Sequence, residues 1–401
     1  MSRGDNCDSD ESRANIRAGA GISRRGVMRQ LGAVSAVGAL GSIAGCSALQ
    51  RGGGGEGTET GGGSSGGDGG ASGDAPEYQL VELNPPPTEL DFSSEPPERS
   101  ITMVTHDAST SFFDPTIAGL HDAASQLGWS ANFTGPSSGF SVEEQVSILE
   151  STVDSGPDVI ATTIPDPSAF DNVINRALEN DIPVITYNTL ALSRDEMREK
   201  YGRALAYTGQ DQVAAGYVCG LAMLERLPDD ASLVTPGLSD PGHSALSARA
   251  DGMEMAIRQN SDIELTDRLN YTGDSNEGIS RIENHLTSNP DLDGIMGADA
   301  FTWFIGNALE NQDMTGDVVG GGFDLTTDTL EHIQNGALNY TIGQDPYSQG
   351  YMPTMQMFTY MDRGIPPKDY PTGAEVIDES NIDFAMERSG GWGELRNYHN
   401  A

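Results

Sequence analysis

From Arg99 onward the chain switches between two hydrophobic periods, and this alternation limits its fold more than any other feature. Short apolar runs such as "SITMVT", "DVIATTI" and "IPVITY" are separated by stretches whose apolar residues recur at helical spacing, Phe112–Leu127 and Ser168–Glu179 among them. The pattern continues: "LAYTG" leads into a helix over 211–227, "SLVT" into 244–258 and "ELTDRLNY" into 276–286. "GIMGA" then leads into 301–310, "VVGGGF" into 326–334 and "LNYTIG" into 347–361. Strand–helix alternation at this spacing predicts parallel sheets with crossover helices. About ten such units overfill one sheet. The expected fold class is α/β, built as two doubly wound, Rossmann-like lobes.

Nearly every apolar run ends on a compact polar group. These are Thr105-His106-Asp107, Pro165-Asp166, Tyr187-Asn188, Gly209-Gln210-Asp211, Ala298-Asp299, Phe323-Asp324 and Gly343-Gln344-Asp345. In open α/β sheets, ligands bind outside the carboxyl ends of the strands, so two facing sheets would aim these groups into one cleft. Asp or Asn ahead of a helix is also an ordinary N-cap, and any single member of the set reads equally well that way. Together, the candidate ligand-binding residues are His106, Asp166, Asn188, Gln210, Asp299, Asp324 and Gln344. Arg249 adds a planar fork of donors, and Phe112 and Phe113 add flat apolar faces. Carboxylates accept hydrogen bonds from hydroxyls, and amides both donate and accept, so the set suits a neutral, polyhydroxylated ligand. Each hydroxyl a wrong ligand lacks would leave a buried polar group unpaired, at about 1–3 kcal/mol.

The catalytic signatures are missing. The sequence holds no Gly-x-Ser-x-Gly elbow, no His-Glu-x-x-His helix and no His/Cys metal spacing, and its six histidines are dispersed. His106-Asp107 and the scattered carboxylates leave a hydrolase as the competing class. The reading favours a binding protein with no catalytic residue, no metal and no cofactor.

The segment before this body reads as an address. Paired Arg24-Arg25 precede fifteen small or apolar residues, Leu31 to Gly45, which stop at Cys46. As a helix these would cover about 22 Å, short of the roughly 30 Å hydrocarbon core. A charged start, a short apolar middle and small residues before a break describe a secretory signal. It resembles a twin-arginine export signal, and Ile43-Ala44-Gly45-Cys46 resembles a lipobox. The expected boundaries are a signal over 1–45 and a tether over 46–98, rich first in glycine and then in proline. Cys46 would carry the lipid. Cys7 would leave with the signal, and Cys219 would remain as a small core residue.

The formal net charge is −38, and lysine occurs only at Lys200 and Lys368. Such a charge repels itself strongly at low salt, but at about 1 M salt the Debye length falls to about 3 Å and the repulsion largely vanishes. The acidity is read as adaptation to a salty medium. With no basic stripe, nucleic acid is excluded as a partner.

Residues 99–375 resemble the periplasmic sugar-binding proteins of the ribose-binding type, the receptors of ABC sugar importers. The segments that carry the likeness are "VTHDASTSFFDPTIAGLHDAASQLG", "IPVITYN", "SARADGM", "GADAFTW", "GGFDLTTD" and "TIGQDPYSQGY". The resemblance implies a type I periplasmic binding protein fold, with a three-stranded hinge crossing near Gln210, Gln344 and Gly373. Lobe 1 would comprise 99–210 plus 345–373, and lobe 2 would comprise 211–344 plus 374–401. It implies that Phe112 and Phe113 sandwich a sugar and that Arg249, Asp324 and Gln344 contact it. Asn188, Thr189 and Ala298 stand where the family often has aspartate, arginine and asparagine, which points away from free ribose. The implied partners are a monosaccharide, the membrane permease of an ABC importer, and the membrane itself through a lipid anchor. The chain is expected as an exported monomer on the outer face of the cell membrane. A nucleoside, a signalling sugar derivative or a chemosensory role keeps the same fold.

Overall fold

Two parallel sheets, each fed by its own crossover helices, carry the architecture. The structure, a computed structural model, describes residue 95 and residues 97–399, with 393–399 by backbone alone. The signal segment, Cys46 and nearly all of the tether lie outside the described residues.

The first lobe opens with β1 (Ser100–Val104), β2 (Ser130–Thr134), β3 (Val159–Ile164), β4 (Val184–Leu190) and β5 (Tyr207–Gly209). Its helices are α1 (Asp114–Leu127), α2 (Val142–Ser155), α3 (Asp171–Glu179) and α4 (Arg194–Tyr201). The second lobe holds β6 (Leu233–Leu238), β7 (Glu264–Leu265), β8 (Leu269–Asn270), β9 (Gly294–Gly297), β10 (Val319–Phe323) and β11 (Tyr340–Gly343). Around them lie α5 (Gln212–Leu224), α6 (Ser244–Asn260), α7 (Ser275–Ser288), α8 (Trp303–Asn311) and α9 (Thr327–Gln334). The chain then returns to the first lobe through α10 (Pro346–Arg363) and β12 (Tyr370–Pro371). It finishes on the second with β13 (Glu375–Ile377) and α11 (Ile382–His399).

The first sheet runs β12-β5-β4-β3-β1-β2, every pair parallel. The second runs β13-β11-β10-β9-β6-β7, with β8 also on β6, and only β13 lies antiparallel. The chain passes between sheets after β5, after β11 and after β12. Two doubly wound lobes joined by a three-stranded hinge are therefore the fold.

Alternation within the strands explains why both faces are covered. In β3, Ile160 and Ile164 belong to one apolar cluster, and Val159 and Ala161 belong to another on the opposite face. Helix starts follow capping chemistry: the side chains of Ser141, Asp211 and Thr326 each accept from a first-turn N–H of α2, α5 and α9. Two close helix contacts need glycine. A Cβ on Gly350 of α10 would collide with Thr116 O of α1, and one on Gly216 of α5 with Arg249 O of α6. The second contact fixes the helix that carries Arg249.

The structure departs from the sequence reading at "ELTDRLNY", which forms two short strands rather than one. Between them Arg268 turns aside to pair with Glu254 and Asp251 of α6, at 2.5 Å each. Elements β2, α2, α4 and α11 arise where the apolar pattern predicted none. Cys219 is buried, as expected of a core residue, and its Sγ lies 3.5 Å from Tyr340 Oη.

Candidate functional site

Loops that follow the strands of both sheets line one cleft of about 780 Å3. It gathers His106, Phe112, Phe113, Arg249, Asp299, Asp324 and Gln344 from distant parts of the chain. It also includes residues the sequence reading did not single out, chiefly Phe140 and His243.

The first lobe supplies an aromatic wall. After β1, a single turn of 3-10 helix, Ser111–Phe113, presents the two phenylalanines edge to face, with centroids 4.8 Å apart. Phe113 is buried, and His106 packs against it at 5.6 Å. His106 Nδ1 lies 3.1 Å from Thr163 Oγ1, which itself accepts from Gln145 Nε2 at 2.9 Å. The Thr163 hydroxyl can donate to Nδ1 or accept from it as well as from Gln145, so the direction of this bond follows the imidazole tautomer. Burial, and then the neighbouring His243, hold the His106 pKa well below the ordinary imidazole value.

His243 arrives from the opposite lobe, in the turn after β6. Its ring sits 5.5 Å from His106 and 5.4 Å from Phe140, so the two lobes touch here. A second touch runs from Ser244 Oγ to Pro165 O at 3.2 Å. Burial brings the His243 pKa down to about 4, and its Nδ1 has no hydrogen-bond partner among the described residues.

The second lobe supplies charge. Arg249 of α6 donates from Nε to Gln212 Oε1 (2.8 Å), from Nη1 to Ala298 O (3.0 Å) and from Nη2 to Gln210 Oε1 (3.1 Å). Its guanidinium lies over the Phe323 ring, 4.2 Å from the centroid. Asp299 accepts from Ser239 N–H, Tyr271 O–H and Phe301 N–H at 2.8–3.0 Å. Asp324 takes a left-handed φ of 73° and accepts from Gln344 Nε2 at 2.5 Å through Oδ1. Among the described residues no donor bonds its Oδ2, which leaves that oxygen for a ligand hydroxyl. Burial raises the pKa of both carboxylates; for Asp324, Arg249 pulls the other way.

Three predicted contacts are not among the cleft's lining residues. Asp166 Oδ1 accepts from the N–H groups of Ser168 and Ala169 at 2.8 Å, closing the turn that precedes α3, whose own N-cap is Phe170. Asn188 sits at a left-handed φ of 58°, which Asn tolerates better than most residues, and its amide donates to Gln349 Oε1 at 3.0 Å. Gln210 is a hinge residue. Its Nε2 reaches Gly343 O at 3.3 Å and Gly373 O at 2.8 Å, one on each of the other two crossings. Because its Oε1 also holds Arg249, the hinge and the cleft share one hydrogen-bond network.

Two hinged α/β lobes around a polar cleft define a receptor for a small solute. The chain belongs to the periplasmic binding protein domain family, whose model matches residues 101–364. It is similar to the xylose/arabinose-binding protein XylF of Sulfolobus acidocaldarius, with 30% identity over 72% of this chain and 73% of that one. It is also similar to the D-allose-binding periplasmic protein of Escherichia coli, with 23% identity over 60% of this chain and 78% of that one. Among solved structures, an Agrobacterium vitis solute-binding protein bound with α-D-tagatopyranose matches with a TM-score of 0.67. The identity is 23%, over 72% of this chain and 98% of that one. A periplasmic solute-binding protein of Actinobacillus succinogenes with bound D-allose gives 0.66 and 22%, over 71% and 99%. These two share the fold.

Proposed function

We propose that this chain is an extracytoplasmic receptor that captures a monosaccharide or related polyol between its lobes and delivers it to the permease of an ABC importer. The observation that carries the reading is one cleft in which an aromatic wall faces Arg249, Asp299 and Asp324. The rings suit the C–H faces of a sugar, and the buried charged groups suit its hydroxyls. The name of the archaeal relative puts pentoses first among candidates. Closure would be a rigid-body motion about the three crossings, with lobe 1 as 99–210 plus 345–373 and lobe 2 as the remainder of 211–401.

Export through the twin-arginine signal, lipid attachment at Cys46 and residence on the outer face of the membrane are supported by the motifs at Arg24-Arg25 and Ile43–Cys46. Stable anchoring takes more than one lipid chain. The acidic composition supports work at high salt.

Titration calorimetry and thermal melting against a panel of pentoses, hexoses and polyols test the proposal. A bound sugar adds about 2.7 kcal/mol of stability at 100 times its Kd and is recovered unchanged. No stabilisation by any sugar, or conversion of the sugar to a product, would overturn it.

A further inference from the structure

We propose that the site extends past the monosaccharide held in the cleft, so that a neutral disaccharide or glycoside also binds, with one ring in the cleft and its second unit in a side chamber beside it. This rests on the cleft being the sugar site. The chamber measures about 480 Å3, within the roughly 300–1,000 Å3 of ordinary ligand pockets. It is not a separate cavity elsewhere in the molecule. Ser111, Phe112, Asp324, Thr326 and Gln344 line both spaces, so a ligand seated on Asp324 in the cleft already borders the chamber.

The far wall comes from the C-terminal helix. Ile382 and Ala385 of α11 pack into the second lobe's core. One and two turns further on, the helix reaches the first lobe, where Trp392 stacks on Tyr347 of α10 at 5.1 Å and 21°. Between them Arg388 is held by Glu375 at 2.7 Å. Phe112, Tyr347 and Trp392 thus give the chamber aromatic surface from three different elements, with polar groups beside it. Asp114, Asp324, Asp345 and Glu375 line it against the single, already paired Arg388, which disfavours sugar phosphates and uronates. Aromatic faces with hydroxyl acceptors and no free cation fit a neutral sugar unit.

The test uses the full chain and the monosaccharide that binds in the panel, titrated beside the disaccharide made of two such units. Two variants accompany it. Trp392→Ala removes the platform. Gly390→Phe fills the chamber at a helical position where a Cβ meets nothing within 4 Å. The disaccharide should bind at least tenfold tighter than the monosaccharide. Both variants should erase that advantage while leaving monosaccharide affinity within twofold. Equal affinities for the two sugars, or variants that weaken both alike, would overturn the proposal while the cleft reading stands. A chain that binds neither sugar would overturn both.

Discussion

The two lobes share one strand order except at the edge, where β12 is parallel and β13 antiparallel, and they weight the cleft's chemistry differently. Lobe 1 meets the cleft with His106, Phe112, Phe113 and Phe140, and its polar strand tips Asp166 and Asn188 are spent on its own backbone and on α10. Lobe 2 meets it with Arg249, Asp299 and Asp324, all buried and all prepositioned by protein hydrogen bonds. An aromatic wall selects shape at little desolvation cost, whereas buried charges select the number and direction of hydroxyls. The weighting is not absolute: lobe 1 also brings the carboxylate of Asp107 to the cleft, and lobe 2 the rings of His243, Phe301 and Trp303. The contact from Arg249 through Gln210 to Gly343 and Gly373 places the charged half on the hinge itself.

The division can be broken most severely on the charged side. Arg249→Ala should lower sugar affinity by about 100-fold, because it leaves Asp324 buried without its nearest countercharge and frees Gln210 at the hinge. Titration calorimetry reads the loss, and a change under threefold would contradict the division.

Acid should act next, through His243, the lobe 2 ring that packs against His106 and Phe140. In the unfolded chain His243 protonates near the ordinary value of 6.5, and in the folded chain only near 4. Between those values the unfolded state binds more protons, so stability rises with pH across that window and is lost on acidification, by up to about 3 kcal/mol. His106 shifts in the same direction, while Asp299 and Asp324, whose pKa values are raised, act with the opposite sign. Melting temperatures from pH 7 to 4 should therefore fall less steeply in His243→Phe than in the parent. Parallel curves would remove His243 from the account.

Asp324→Ala should cost at least tenfold in affinity with the fold retained, measured by calorimetry beside circular dichroism. An unchanged affinity would take its free oxygen out of the site. The smallest effect belongs to Asp166→Ala, which should lose about 1 kcal/mol of stability with its turn hydrogen bonds and change affinity less than twofold. A tenfold loss there would show that Asp166 reaches the ligand after all.

Much of this was legible in the sequence, and the reasons are local. Strands such as β3 read clearly because both faces are buried, and tip residues such as Asp299 and Asp324 follow from where a parallel sheet aims its loops, whereas Arg249, inside α6, came only from the family resemblance. What stayed hidden depends on contacts far along the chain. Asp166 and Asp324 look alike in sequence, yet one finds its partners within three residues and the other in Gln344. Asn188 is diverted by Gln349, which is 161 residues away. His243 and Phe140 lie in loops with no apolar run to flag them. "SGGWGELR" carries a Gly-Gly pair that argues against a helix, and α11 forms because Ile382 and Ala385 are buried in the second lobe.

The structure of the chain with its sugar is the most direct test. The account predicts one ring held between the two lobes, its C–H face on Phe112 and its hydroxyls on Asp324 and Arg249. A sugar bound wholly to one lobe, or outside the cleft, would contradict it.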